Sequence, residues 1–326
     1  ERGGWPRCLI QFEDFQTDKA FLILERLREK VLCFNDDIQG TGATILAGLI
    51  NGAKAQGTAL RDLRVVFYGA GSSAVGVASM IATLLEEQGG LSAEEATSRV
   101  WMVDSKGLIT NTRGDTLAAH KRRFARSDGC PDMKSLRDII AHVKPHALFG
   151  LSGAGPSFHQ ADIEEMCLHT ERPLVFPLSN PTSKAEVSAV DAYTWSKGRC
   201  LFAAGSPFDP VEYEGKTLVP GQGNNMFIFP GVGFASVAVQ AKYIPDSFFI
   251  AAAQALADSV PDAELAEGRL YPDISRIREI SALTAVAVAE KAYDLGLAQL
   301  SPKPGNMAAY INTRMWAPRC SNVHED

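Results

Sequence analysis

No apolar run in this chain reaches the ~18 residues that a membrane-crossing helix needs. No two cysteines stand as C-x-x-C. The six, Cys8, Cys33, Cys130, Cys167, Cys200 and Cys320, are scattered, so neither a zinc site nor a disulfide framework is indicated. Reduced thiols in a reducing compartment are expected instead. Basic charge is not in excess: 32 Lys and Arg against 38 Asp and Glu leave a net charge of −6. Nucleic acid and membrane surfaces are therefore not expected partners. Internal repeats and low-complexity segments are absent. So are a start methionine, a signal peptide and a transit peptide; the opening Glu1-Arg2-Gly3-Gly4-Trp5 suggests a fragment or a natural truncation.

What is present suits a globular protein. The 326 residues are 46% hydrophobic and 21% charged, enough for one large or two ordinary domains. Short apolar runs at Arg64–Tyr68, Val100–Val103, Ala147–Leu151, Leu174–Pro177 and Leu201–Ala204 read as strands. Helical spacing separates them, including Ser73–Glu87. That alternation predicts an α/β fold with a doubly wound, mainly parallel sheet, Rossmann-like, flanked by N- and C-terminal helical segments. Cys8–Phe12 reads as a short buried strand. Helices are expected at Thr17–Lys30, Ile38–Gln56, Val232–Tyr243, Asp246–Asp258 and Asp273–Leu295. The stretch 301–326 has no period and is expected to be irregular.

Three motifs carry chemistry. The first is Gly69-Ala70-Gly71-Ser72-Ser73-Ala74-Val75-Gly76, which follows a strand and opens a helix. Gly69 permits the tight turn, Gly71 lets backbone approach a pyrophosphate, and Ala74 allows close helix–strand packing. Amides at the helix start, from Ser72 onward, attract phosphate. Asp104 ends the next strand, 35 residues beyond Gly69, where a carboxylate would accept ribose hydroxyls and favour NAD. Ser105-Lys106 and His120-Lys121-Arg122-Arg123 follow it. This cluster suits the 2′-phosphate of NADP, although a solvated helix face would look the same. The second motif, Gly150-Leu151-Ser152-Gly153-Ala154-Gly155, also follows a strand. It either lines the crevice, through Ser152 and Gly153, or is an ordinary turn.

The third is a pair of acidic steps, Glu13-Asp14 and Asp36-Asp37, each set beside apolar residues. Carboxylates so placed are costly without a cation or donors. Convergence of three or four would make a hard oxygen site for Mg²⁺ or Mn²⁺. A surface turn and helix N-caps are the plain alternatives.

Together these stretches resemble malic enzyme, the metal-dependent oxidative decarboxylase of malate. Further matches are Ser179-Asn180-Pro181-Thr182, Gly221-Gln222-Gly223-Asn224-Asn225 and Phe227-Ile228-Phe229-Pro230-Gly231-Val232-Gly233. The resemblance runs from about Leu9 to about Leu297. It implies that Glu13, Asp14 and Asp37 are metal ligands and that Asp36 is the catalytic carboxylate beside a lysine. It implies that Asn180 and Asn225 hold the substrate carboxylate, that Asn180 also borders the nicotinamide, and that Lys121 meets the 2′-phosphate. Asn224 stands beside Asn225 as a further amide.

The implied cofactors are NADP, with NAD possible, and Mg²⁺ or Mn²⁺; the implied substrate and product are malate and pyruvate. The implied organisation is a remnant of the catalytic region over 1–37, an NAD(P)-binding domain with C-terminal helices over 38–300, and the irregular tail. A homo-oligomer is expected of a full-length protein, in cytoplasm, mitochondrion or plastid. The family's general-base lysine, tyrosine acid and substrate-binding arginine belong to an N-terminal region with no match here. The alternatives are a non-catalytic dinucleotide-binding module and a malolactic relative.

Overall fold

The computed structural model describes residues 8–316. The opening pentapeptide, Cys320 and residues 317–326 of the expected tail lie outside that range. At the N-terminal end, β1 (Ile10–Phe12) and β2 (Cys33–Asn35) pair in parallel, joined by the helix Thr17–Leu27. The register sets Phe12 opposite Asn35. Both acidic steps therefore leave the same end of two adjacent strands.

The centre is a seven-stranded sheet. Its strands are β3 (Val65–Tyr68), β4 (Val100–Asp104), β5 (Gly107–Leu108), β6 (Ala147–Gly150), β7 (Leu174–Pro177), β8 (Leu201–Ala204) and β11 (Gly221–Gln222). A hairpin of β9 (Val211–Tyr213) and β10 (Lys216–Leu218) stands apart from it. The order is β11-β8-β7-β6-β3-β4-β5, parallel throughout except for β4 against β5. From β3 the chain passes to β4 on one flank. It then crosses to β6 on the other, so a crevice opens at the strand C-termini beside β3.

The expected central strands are found because buried parallel strands must be continuous apolar runs. Phe67, Phe149 and Phe176 occupy one cross-strand row and stack with centroids 4.9 Å apart at each step. All three are fully buried. The sheet's opposite face is covered by a second cluster that includes Ile139, Ile140, Ile163 and Phe202.

Some boundaries differ for identifiable reasons. β1 is half-exposed rather than buried. The helix expected from Ile38 starts at Thr41, because Asp36–Gly40 forms a π-helical turn. Asn35 opens that turn, its Oδ1 accepting the Ile38 N–H at 2.9 Å. Gly40 permits it, since a Cβ there would collide with the Asp36 carboxyl group. Phe229–Ala238 replaces Val232–Tyr243, ending before Gln240, whose φ is 54°. The stretch from Ser301 is not wholly irregular: Met307–Arg314 is helical, capped by Asn306. Met307 and Ile311 are its buried positions, with Tyr310 packed beside them, too short a pattern to show a period.

His146 precedes β6 and ties it to β3, its Nδ1 accepting the Arg64 N–H at 3.1 Å. Burial, reinforced by Arg64, lowers its pKa to about 4. The folded value lies below the unfolded one, so stability should be full above about pH 6.5 and fall as pH drops towards 4. Partial solvent access discounts the effect to about 1–2 kcal/mol. His146→Asn, whose Oδ1 keeps the acceptor, should flatten that part of the curve. Urea unfolding of both proteins between pH 4 and 7 checks this, and parallel curves would refute it.

Candidate active site

Three loops meet at the crevice. The glycine turn leaves β3 with Gly69 at φ 121°, and a Cβ there would run into the Leu151 carbonyl of the loop after β6. Gly71 caps the helix Ser72–Glu87 in extended conformation, with open space where a Cβ would stand. Ala74 is buried under the turn. A cavity of about 560 Å³ is lined by Gly69, Gly71, Ser72, Asp104, Ser105, Lys121 and Ser152, among others. Of the expected dinucleotide residues these seven come together, while Ala74, Gly153 and Asn180 stand outside this lining.

Asp104 is not a free ribose acceptor. Its Oδ1 accepts from Arg113 Nη2 at 2.6 Å and from the Lys106 N–H at 2.9 Å, and its Oδ2 accepts from Lys121 Nζ at 2.8 Å. Burial alone would raise its pKa. Arg113, Lys121 and the Lys106 amide outweigh burial and hold it down at about 2. Two cations against one carboxylate leave this corner net positive. Arg113 escaped the sequence reading because it lies in an aperiodic stretch, nine residues from its partner. One of its nitrogens, Nη1, is buried without a hydrogen-bond partner. Arg122 and Arg123 do not join the corner: they approach Asp115 and Glu86.

Ser152 and Gly153 hold their loop rather than offer donors. The Ser152 N–H and Oγ both bond Glu186, the Gly153 N–H bonds Ser179 Oγ, and the Ala154 N–H bonds Ser152 Oγ. Asn180, in the loop after β7, is exposed, and its Oδ1 accepts from Ser206 Oγ at 2.5 Å.

The acidic steps form a second cluster. The Asp14 N–H donates to Asp37 Oδ2 at 2.8 Å, with Asp14 at φ 58°. Glu13 turns instead to Gln11, accepting from its Nε2 at 2.8 Å. Burial raises the Asp37 pKa, and the charges of Glu13 and Asp14 raise it further against the Asp14 N–H. Among the described residues no three such side chains gather as a ligand set. The carboxylates are neighbours, but Glu13 is turned to the Gln11 amide and Asp37 to the Asp14 N–H rather than to a common point. Asp36 is almost wholly buried, with Oδ1 unpartnered. Burial is the main force raising its pKa to about 7. Asn225 reaches it from the distant part of the chain, its Nδ2 3.2 Å from Asp36 Oδ2 and 3.0 Å from Thr41 Oγ1. Asn224 caps the turn that follows, accepting the Met226 N–H.

Comparison with known proteins identifies the family. The family model described as "Malic enzyme, NAD binding domain" matches residues 38–293. A protein of Dictyostelium discoideum named "NADP-dependent malic enzyme" is 52% identical over 96% of this chain and 57% of its own length. One of Populus trichocarpa with the same name is 45% identical over 96% of this chain and 52% of its own length. The chain therefore spans about half the length of the curated relatives it matches. Among solved structures, malic enzyme of Entamoeba histolytica superposes with a TM-score of 0.76 at 26% identity, covering 94% of this chain and 58% of its own. That of Pyrococcus horikoshii gives 0.75 at 27%, covering 94% and 65%.

The Asp104 corner makes a direct prediction. Arg113→Met should raise the Asp104 pKa from about 2 towards the ordinary carboxylate range. Lys106→Met should leave it unmoved, because only the Lys106 backbone is used. Carboxyl-carbon NMR titration distinguishes the two variants.

Proposed function

This chain belongs to the malic enzyme family, and from that premise we propose that it forms the cofactor-binding part and the carboxylate cluster of an NADP-linked, divalent-metal-dependent enzyme. The proposed reaction converts (S)-malate to pyruvate and CO₂ while NADP is reduced. The observation that carries the reading is the Asp104–Arg113–Lys121 corner beside the glycine turn. The adenosine half of a dinucleotide lies on the β4 flank of such a turn. There a 2′-phosphate would meet Lys121 and the unpartnered nitrogen of Arg113. The Asp104 charge, which alone would repel that phosphate, is already neutralised.

The acidic cluster suits a hard cation by its chemistry: all its donors are carboxylate oxygens, and their repulsion is what a cation would relieve. Glu13, Asp14 and Asp37 would hold Mg²⁺ or Mn²⁺, which when bound supplies Lewis-acid polarisation of substrate oxygens. Asp36, held near neutral pH, can carry a proton within reach of that cluster. The Asn225 amide is shared with Asp36 and Thr41, so a malate carboxylate would compete with Asp36 for it. Asn180 and Ser152, on the β6–β7 flank, stand on the nicotinamide side of the crevice.

Two measurements test the reading. A charge-assisted contact to phosphate is worth about 1.5–3 kcal/mol, or roughly 10- to 150-fold in affinity. Lys121→Gln should weaken NADP binding by that factor and leave NAD binding nearly unchanged; equal losses for both cofactors would rule it out. The second measurement is turnover. The proton-transfer groups that the resemblance implies have no match in this sequence, and such groups contribute about 10²–10⁴ in rate. With Mn²⁺, malate and NADP, these 326 residues should turn over slower by at least that factor than a relative spanning both regions. Comparable rates would show that the catalytic groups are misplaced.

A further inference from the structure

Glu186 has no part in the sequence reading or in the function just proposed, yet it is fully buried. It sits between the turn Thr182–Lys184 and the helix Ala189–Trp195. Its partners are hydroxyls and backbone amides. Oε1 accepts from the Ser152 N–H at 3.0 Å, Ser152 Oγ at 2.9 Å and Ser179 Oγ at 2.5 Å. Oε2 accepts from the Ser179 N–H at 3.4 Å. Both hydroxyls pass the interaction on, since Ser152 Oγ accepts the Ala154 N–H and Ser179 Oγ accepts the Gly153 N–H. The Glu186 carbonyl accepts the Ser157 and Phe158 N–H groups, each at 2.9 Å. Gly150 makes room for it, because a Cβ there would strike the Glu186 side chain.

One carboxylate thus fastens the loop after β6 to the loop after β7. Its side-chain contacts are all N–H and O–H groups, which the carboxyl oxygens satisfy as acceptors. A hydroxyl that donates to Glu186 must turn its lone pairs towards the loop amides. The carboxylate therefore sets the direction of the whole network.

We propose that Glu186 is a positioning residue for the nicotinamide side of the crevice. By locking Ser152 and Ser179 together it holds the 151–155 loop and Asn180 in place before the cofactor arrives. This rests on the NADP reading above. It also separates the two flanks: the Asp104 corner is built by Arg113 and Lys121, from the segments after β5, against the end of β4, and none of its contacts involves Glu186.

The test compares two ligands, NADP and adenosine 2′,5′-bisphosphate, which carries only the adenosine half. In Glu186→Gln an amide NH₂ must face either the Ser179 N–H or the donors at Oε1. NADP binding should weaken roughly 10-fold, with adenosine 2′,5′-bisphosphate affinity unchanged. Ser179→Ala keeps the carboxylate but cuts its link to Gly153. It should show the same split at about 3-fold, which covers the case in which Glu186→Gln fails to fold. An equal loss for both ligands, or no loss in either variant, would overturn the proposal and leave the NADP reading standing. Failure of the unmutated chain to bind either ligand would overturn both.

Discussion

A side chain at position 69 cannot coexist with the Leu151 carbonyl. The rest of the site depends on that close approach. It occurs where the chain reverses about β3, with β4 on one flank and β6 on the other. Because the two loops touch, the crevice has a floor of backbone and walls that differ in character. The β4 wall is ionic, built from Asp104, Arg113 and Lys121. The β6–β7 wall is neutral at its surface, its loop amides turned inward onto Ser152, Ser179 and Glu186. Gly69 also takes a φ of 121° that L side chains rarely adopt. A substituent there would strain the turn and separate the walls together.

Three desolvated carboxylates are stabilised in three different ways. Asp104 is met by two cations and an amide, so it stays ionised well into acid and acts as a fixed anchor. Glu186 is met by hydroxyls and amides, which give direction to a network. Asp36 has one amide partner and an unpartnered oxygen, and burial leaves its pKa at about 7. A buried carboxylate fully satisfied by partners is structural in effect. Asp36 is the least satisfied of the three, and its burial is opposed only by the Asn225 amide.

The sheet was legible because burial on both faces demands short continuous apolar runs, and Leu174–Pro177 and Leu201–Ala204 appear with the expected bounds. The glycine turn was legible because its requirements are local. Arg113 and Glu186 were not. Arg113 meets Asp104 only because the chain doubles back after β5, and Glu186 reaches Ser152 across 34 positions. No periodicity encodes such pairings. The basic run 120–123 misled in part: a sequence cannot say which of three adjacent cationic side chains turns inward, and only Lys121 pairs with Asp104. The π-helical turn at Asp36–Gly40 was hidden for a similar reason. It depends on a contact rather than a propensity: the Asp36 carboxyl group occupies the space that a Cβ at Gly40 would need.

The carboxylate cluster belongs to the small β1–β2 pair, not to the sheet that carries the glycine turn, so something must fix one against the other. Asp246, at the start of the helix Asp246–Asp258, accepts from Arg28 Nη2 at 2.7 Å and from Gln39 Nε2 at 2.8 Å. Gln39 is buried, and its Oε1 accepts the Asn35 N–H at 3.1 Å, directly before Asp36. The Arg28 contact is half-exposed and contributes little by itself. The Gln39 relay is the stronger constraint, because a buried amide left without either partner would carry a desolvation cost. With Asn225 gripping Asp36 from the other side, the acidic step is held by two separate segments of the C-terminal half. The geometry of the cluster is thus set from the C-terminal half, which keeps the acidic steps in register with the crevice beside β3.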